Sequence, residues 1–169
     1  MIRLERFNKA DYPALISWVK SEEELMQFGG PGFSFPLTAE QLDKSMEDKN
    51  RAAFSVIDTE TNEHIGHAEI YLTETTAKLG RILIGNEQKR GNGFGKDIVK
   101  ALIEFVFHRM DRNIIELNVF DWNASAIRCD EKVGFKINPG KTLERKVKGQ
   151  TWIALNMILD MEQWNMKNK

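Results

Sequence analysis

Residues 88–96 read QKRGNGFGK, with glycines at 91, 93 and 95 and basic residues at 89, 90 and 96. Glycine carries no Cβ and takes left-handed backbone without steric cost, so so dense a run forces a close backbone turn. The flanks say what kind of turn. Before it, AKLGRILIG (77–85) reads as a strand; after it, Gly93 to Met110 carries Ile98, Leu102, Phe105 and Val106 as a helical apolar stripe. A strand, a glycine turn and a long helix gather free backbone N–H groups and roughly half a positive charge at one point. That arrangement holds a pyrophosphate without a metal. A plain helix entry would need one glycine, not three.

Two familiar phosphate loops fail on spacing. A Walker loop needs Gly-Lys followed by Ser or Thr, and here Gly95-Lys96 is followed by Asp97, with Arg90 where the first glycine belongs. A dinucleotide fingerprint needs a third glycine where Lys96 stands, and the preceding strand is fourth in a run rather than the opening of a βαβ unit.

The rest of the chain divides without repeats or linkers, so a single domain over 1–169 is expected. IRLERF (2–7) alternates as a strand, and Asn8–Val19 has Tyr12, Leu15, Ile16 and Val19 at helical spacing. FGGPGFSFP (28–36) reads as a loop, and Thr38 with Gln41 forms a capping-box pattern for a second short helix. AAFSVID and IGHAEIYL form a hairpin about TETNEH, IIELNVF (114–120) is a strand, and ASAIRCDEKV is a helix capped by Asn123. LERKVKGQTWIALNMIL closes the chain as two strands about a glycine turn. The expected fold is α/β (α+β): a mixed, mostly antiparallel seven-stranded sheet with helices on both faces.

Net charge is −1 among 29% charged residues, which gives no global field for nucleic acid or anionic membrane. No apolar run approaches the roughly 18 residues of a membrane span. The lone Cys129 excludes an internal disulfide and agrees with a reducing cytoplasm, the expected location. His64 and His67 would lie on opposite faces of a strand, so no metal site is expected.

The glycine turn resembles the acetyl-CoA loop [QR]-x-x-G-x-[GA] of the GNAT acetyltransferase superfamily, matched by Gln88-Lys89-Arg90-Gly91-Asn92-Gly93. It is followed by LNVFDWNASAIRCDEKVGF, similar to the family's L-x-V…N-x-x-A-I-x-x-Y-E-K-x-G-F segment at Leu117, Val119, Asn123, Ala126, Ile127, Glu131, Lys132, Gly134 and Phe135. The resemblance is firmest over 65–136, and the tail is similar to the branch of ribosomal-protein N-terminal and spermidine acetyltransferases. It implies an acetyl-CoA-dependent N-acetyltransferase acting by direct transfer in a ternary complex. The acceptor would be a primary amine, on a protein N-terminus or a polyamine, with an aminoglycoside or other small amine as an alternative. A non-catalytic acyl-CoA sensor is a further alternative, and a homodimer is compatible with the resemblance.

The same resemblance implies site residues. Amides from Lys89 through Phe94 to Gly95, with Gln88 and Lys96 flanking, would hold the pyrophosphate. Leu83, Ile84 and Gly85 would pair with pantetheine as a strand, and Asn123 would reach its arm. The Ile84 N–H would face the acyl oxygen as negative charge develops there. Attack needs a neutral amine, and deprotonating an alkyl ammonium near pH 7 costs roughly 4 kcal/mol. Glu116, Glu69 and His67 are the base candidates, by strand-face alternation. The family's tyrosine acid is replaced by Asp130 and its glutamate base by Asn118. Aspartate is ordinarily ionised at neutral pH and would repel a thiolate, so it is not expected to act as the acid. A polyamine site would need carboxylates, which SEEEL (21–25) and MEDK (46–49) could supply; Trp18, Phe28, Phe33 and Phe35 could line the acceptor pocket or pack in the core.

Overall fold

The computed structural model describes residues 1–169. Seven strands form one sheet: β1 (Ile2–Arg6), β2 (Arg51–Asp58), β3 (His64–Leu72), β4 (Ala77–Ile84), β5 (Ile114–Phe120), β6 (Lys136–Val147) and β7 (Gln150–Asp160). Their spatial order is β1-β2-β3-β4-β5-β7-β6. Every neighbouring pair is antiparallel except β4 with β5. That parallel pair is joined by the crossover helix α4 (Phe94–Arg109), as parallel strands require.

Residue alternation assigns the two faces. Leu79, Ile115 and Leu117 point to the side of α4, α5 (Ala124–Val133) and α6 (Met161–Lys167), where the larger core contains Ile98, Leu102, Val133 and Trp164. The opposite face is covered by α1 (Tyr12–Trp18), α2 (Glu22–Gly29) and α3 (Ala39–Met46) over a smaller core of Phe7, Leu15, Phe28 and Leu42.

Three elements depart from the sequence expectation. The first helix is broken: a single 3-10 turn spans Lys9–Asp11 under an Asn8 capping box, and α1 begins only at Tyr12, with Pro13 in its first turn. The 28–36 loop starts later than its composition suggests, because α2 runs through Phe28 and Gly29. Its signal was Ser21-Glu22-Glu23-Glu24: the Ser21 hydroxyl accepts from the Glu24 N–H at 3.1 Å, and three acids sit in the positive first turn. The third is α6, capped by Asp160 and too short for a convincing apolar stripe. Thr38 caps α3 as expected, but the Gln41 side chain binds the Thr38 hydroxyl and Ser34 and Pro36 of the preceding loop rather than the Thr38 N–H.

What positions the site is a split in the sheet. β4 and β5 pair only over Ala77–Leu79 against Ile115–Leu117. Beyond Leu79 the β3–β4 register slips between His67 and Glu69, and Arg81 adopts left-handed backbone, φ 48°. Such a bulge bends and twists its strand, which carries the rest of β4 away from β5.

Candidate active site

A cavity of about 790 Å³ opens through the split. On one side it meets Gly91, Gly93, Gly95 and Lys96 of the turn and Asn123, Ala126, Cys129 and Asp130 of α5; on the other it reaches Met26–Gly32, Glu69 and Arg81.

The glycine turn supplies donors. Gln88 N–H donates to the Asn86 side chain, Lys89 N–H to Asn86 O and Arg90 N–H to Glu87 O, closing a short 3-10 turn. From Gly91 to Lys96 no backbone N–H has a protein acceptor, and the next, Asp97 N–H, donates to Gly93 O. Gly91 and Gly93 have φ 78° and 87°, a conformation that β-branched side chains resist. The basic residues at 89 and 90 are turned away. The Lys89 ammonium sits 2.6 Å from the Asp58 carboxylate, which its hydrogen bond pulls down to about 2. Arg90 Nε donates to Ile84 O at 2.9 Å. Lys96 remains on the cavity wall. The loop motif also fits in a second frame, Arg90-Gly91-Asn92-Gly93-Phe94-Gly95, and this frame places its last small residue inside the first turn of α4.

At the end of β4 the three expected pantetheine partners differ. Gly85 N–H already donates to Ile65 O on β3, 2.8 Å away. By antiparallel alternation the Ile84 N–H therefore points away from β3, into the split. Leu83 faces the smaller core. Gly85 is required for packing: a Cβ there would sit 1.8 Å from the Trp18 ring.

The base candidates are all buried and all engaged. Glu69 is on the cavity wall, 3% exposed. His67 Nε2–H donates to its Oε1 at 2.9 Å, and Arg51 and Arg81 bind its Oε2 at 2.8 and 3.2 Å. Burial opposes its ionisation, but His67 and the two arginines prevail and hold Glu69 below the usual carboxylate range. His67 is wholly inaccessible, wedged between Phe7 and Phe28, so it can reach the cavity only through Glu69. Glu116 does not line the cavity. It lies opposite Lys78 within the paired part of β4 and β5, and is bonded by Thr76, Asn156 and Lys141.

Asp130 behaves differently from its sequence expectation. It is 7% exposed, its carboxyl has no hydrogen-bond donor, and it shares one helix face with Ala126 and Cys129 on the cavity wall. Burial pushes it up to about 7. Near pH 7 it is therefore about half in the carboxylic-acid form, where the sequence suggests a carboxylate. Burial first, and the Asp130 charge second, also push the Cys129 thiol up, which suits packing better than nucleophilic work. Asn123 caps α5 through Ala126 N–H at 3.3 Å and also lines the cavity. Of the aromatic residues near α1 and α2, Phe28 lines the cavity, Trp18 packs on Gly85, Phe33 stacks beneath Arg81 and Phe35 is exposed.

A sheet that parts between its one parallel pair, with a glycine-turned helix start at the opening, is the fold of N-acetyltransferases. Over 97% of this chain and 98% of the other, it superposes on the spermidine N-acetyltransferase of Vibrio cholerae in complex with CoA and spermine, with TM-score 0.81 and 19% identity. An aminoglycoside acetyltransferase in complex with coenzyme A gives TM-score 0.78 and 19% identity over the full length of both chains. The chain belongs to the GNAT acetyltransferase family, whose domain matches residues 2–136. Aminoglycoside N(6')-acetyltransferases type 1 of Klebsiella pneumoniae and Serratia marcescens are 33% identical over 86 residues, covering 44% of this chain and 43% of theirs. The match thus spans less than half the length of these relatives.

Proposed function

We propose that the protein transfers an acetyl group from acetyl-CoA to a primary amine, by direct attack in a ternary complex. The observation that carries this reading is the run of unpaired N–H groups from Gly91 to Lys96, at the mouth of a cavity that crosses the sheet. Six consecutive donors at a helix start suit a pyrophosphate, and the split beside Ile84 suits an extended arm that continues β4 as a strand would. Acetyl-CoA supplies an activated thioester; the chain's residues do the rest.

The Ile84 N–H, directed into the split, offers a fixed donor to an acyl oxygen that gains negative charge. The amine nitrogen forms its bond to the acyl carbon as the carbon–sulfur bond breaks. Asp130, held about half protonated near pH 7 by its burial, gives its proton to the departing sulfur. The proton lost by the amine goes towards Glu69, the carboxylate on the other side of the cavity; His67, Arg81 and Arg51 make it a weak base. Acceptors of the expected kinds are a protein N-terminus or a polyamine, with an aminoglycoside or other small amine as the alternative.

The test is release of free CoA thiol from acetyl-CoA in the presence of spermidine, an aminoglycoside, free amino acids and short peptides with free N-termini. Selective release well above hydrolysis is the expected result. No release from any amine, in a protein whose melting temperature still rises with acetyl-CoA, would replace this reading with that of a CoA-binding sensor.

A further inference from the structure

The cavity wall on the α1–α3 side of the sheet is basic, and we infer from it that the acceptor is a primary amine that itself carries a carboxylate. The inference rests on the transferase reading above and narrows it. On that side Arg51, Lys78, Arg81 and Arg145 line the cavity, against Glu69 alone. Glu69 cannot neutralise them: one of its oxygens is shared by Arg51 and Arg81, and the other is taken by His67. Lys78 shares Glu116 with Lys141, at 3.7 and 3.4 Å. Arg145 has no carboxylate partner; its guanidinium donates to the Glu144 carbonyl at 3.0 Å.

These cations do not belong to the phosphate end. Lys78 alternates with Leu79, so it faces away from α4, and Arg145 lies on the β6–β7 arm beside Leu143 and Ala154. The acids that a polycationic acceptor would need are elsewhere. The cavity meets α2 at Met26–Gly29 rather than at Glu22–Glu24, and Glu23 is paired with Lys148 at 2.8 Å. None of Glu47, Asp48 and Lys49 lines the cavity. A polyamine would thus enter a low-dielectric cleft against an excess of like charge. A carboxylate would meet a planar guanidinium, the donor that fits it two bonds at a time. Free amino acids and acidic peptide N-termini share that chemistry.

The test compares matched acceptors with the intact protein and acetyl-CoA: glutamate, methionine and lysine, their α-amides, tripeptides beginning with Asp or Glu, spermidine and an aminoglycoside. Binding of the same compounds to the CoA-loaded protein is measured by calorimetry, so that affinity is read without turnover. The expected result is a kcat/KM at least about ten-fold higher for the carboxylate form than for its amide, with the same order in affinity. Arg145→Gln and Lys78→Gln should each erode that preference several-fold through KM, leaving kcat nearly unchanged. Arg51 is avoided because its loss would leave the buried Glu69 short of a partner. Equal use or binding of acid and amide, preference for spermidine or the aminoglycoside, or no binding of any carboxylate form would overturn the inference. Carboxylate-dependent binding without turnover would overturn the transferase reading and leave the anion subsite standing. Peptides bound in preference to free amino acids, or the reverse, would support it and identify the source.

Discussion

Asp130 is the residue whose chemistry most depends on its surroundings. Its ordinary value of 3.8 rises to about 7 because a carboxyl between α5 and the cavity wall is desolvated and receives no donor. The folded chain therefore keeps a proton that the unfolded chain releases between about pH 4 and pH 7. Stability should be full below pH 4 and fall as pH rises through 7. At about 1.4 kcal/mol per pH unit, the difference is on the order of 4 kcal/mol. Asp130→Asn should flatten this slope and raise the melting temperature at pH 8, while leaving it nearly unchanged at pH 4. The same variant should lower kcat roughly 10- to 100-fold and remove the fall in rate above pH 7, since asparagine cannot deliver a proton. Thermal melts and pH–rate profiles of the two proteins check both. An Asn variant that keeps full kcat would leave the thiolate to depart without an acid. None of this was legible from the sequence, where an aspartate between Cys129 and Glu131 has every mark of a charged helix residue. Burial at that depth is a tertiary fact.

At the scale of elements, the glycine turn was legible because its signal is local: strand, glycines and apolar stripe are contiguous in the chain. Two details of it were not. Which amides are free depends on the 3-10 turn at Glu87–Lys89, which consumes the N–H groups of Lys89 and Arg90. Where the basic side chains go depends on Asp58, 31 residues away at the end of β2. The base candidate Glu116 shows the same limit. Alternation sets Glu116 on the strand face of Asn118, yet only the point where β4 leaves β5 decides that Asn118 lines the cavity and Glu116 does not. The turn itself is testable. A Cβ at Gly93 would touch nothing within 4 Å, so damage from Gly93→Val is conformational rather than steric. Valine disfavours φ near 87°, a strain of about 1–3 kcal/mol that tilts the turn out of its donor geometry. Affinity for acetyl-CoA should fall ten-fold or more in the variant, with the far-ultraviolet circular dichroism spectrum kept. Unchanged affinity would place the pyrophosphate elsewhere.

For the whole molecule, the split leaves the sheet as two halves held together by three residue pairs of β4 and β5 and by the crossover helix α4. The fold class followed from the order of strands and helices, and the position of the split did not, because a left-handed arginine at position 81 has no signature in the sequence. An extended ligand lying along the free edge of β4, with its pyrophosphate on the start of α4 and its arm near α5, would touch both halves at once. Such a ligand binds the folded chain and not the unfolded one. At about 100 times its dissociation constant, acetyl-CoA should therefore stabilise the protein by roughly 2.7 kcal/mol. For a chain of 169 residues that corresponds to a rise of roughly 5–10 °C in melting temperature. The Gly93→Val protein, melted at the same acetyl-CoA concentration, should show about half of that rise lost, or more. A flat melt of the unaltered protein would remove acetyl-CoA from the cavity altogether. A rise of equal size in both proteins would keep the ligand but move its phosphates off the glycine turn.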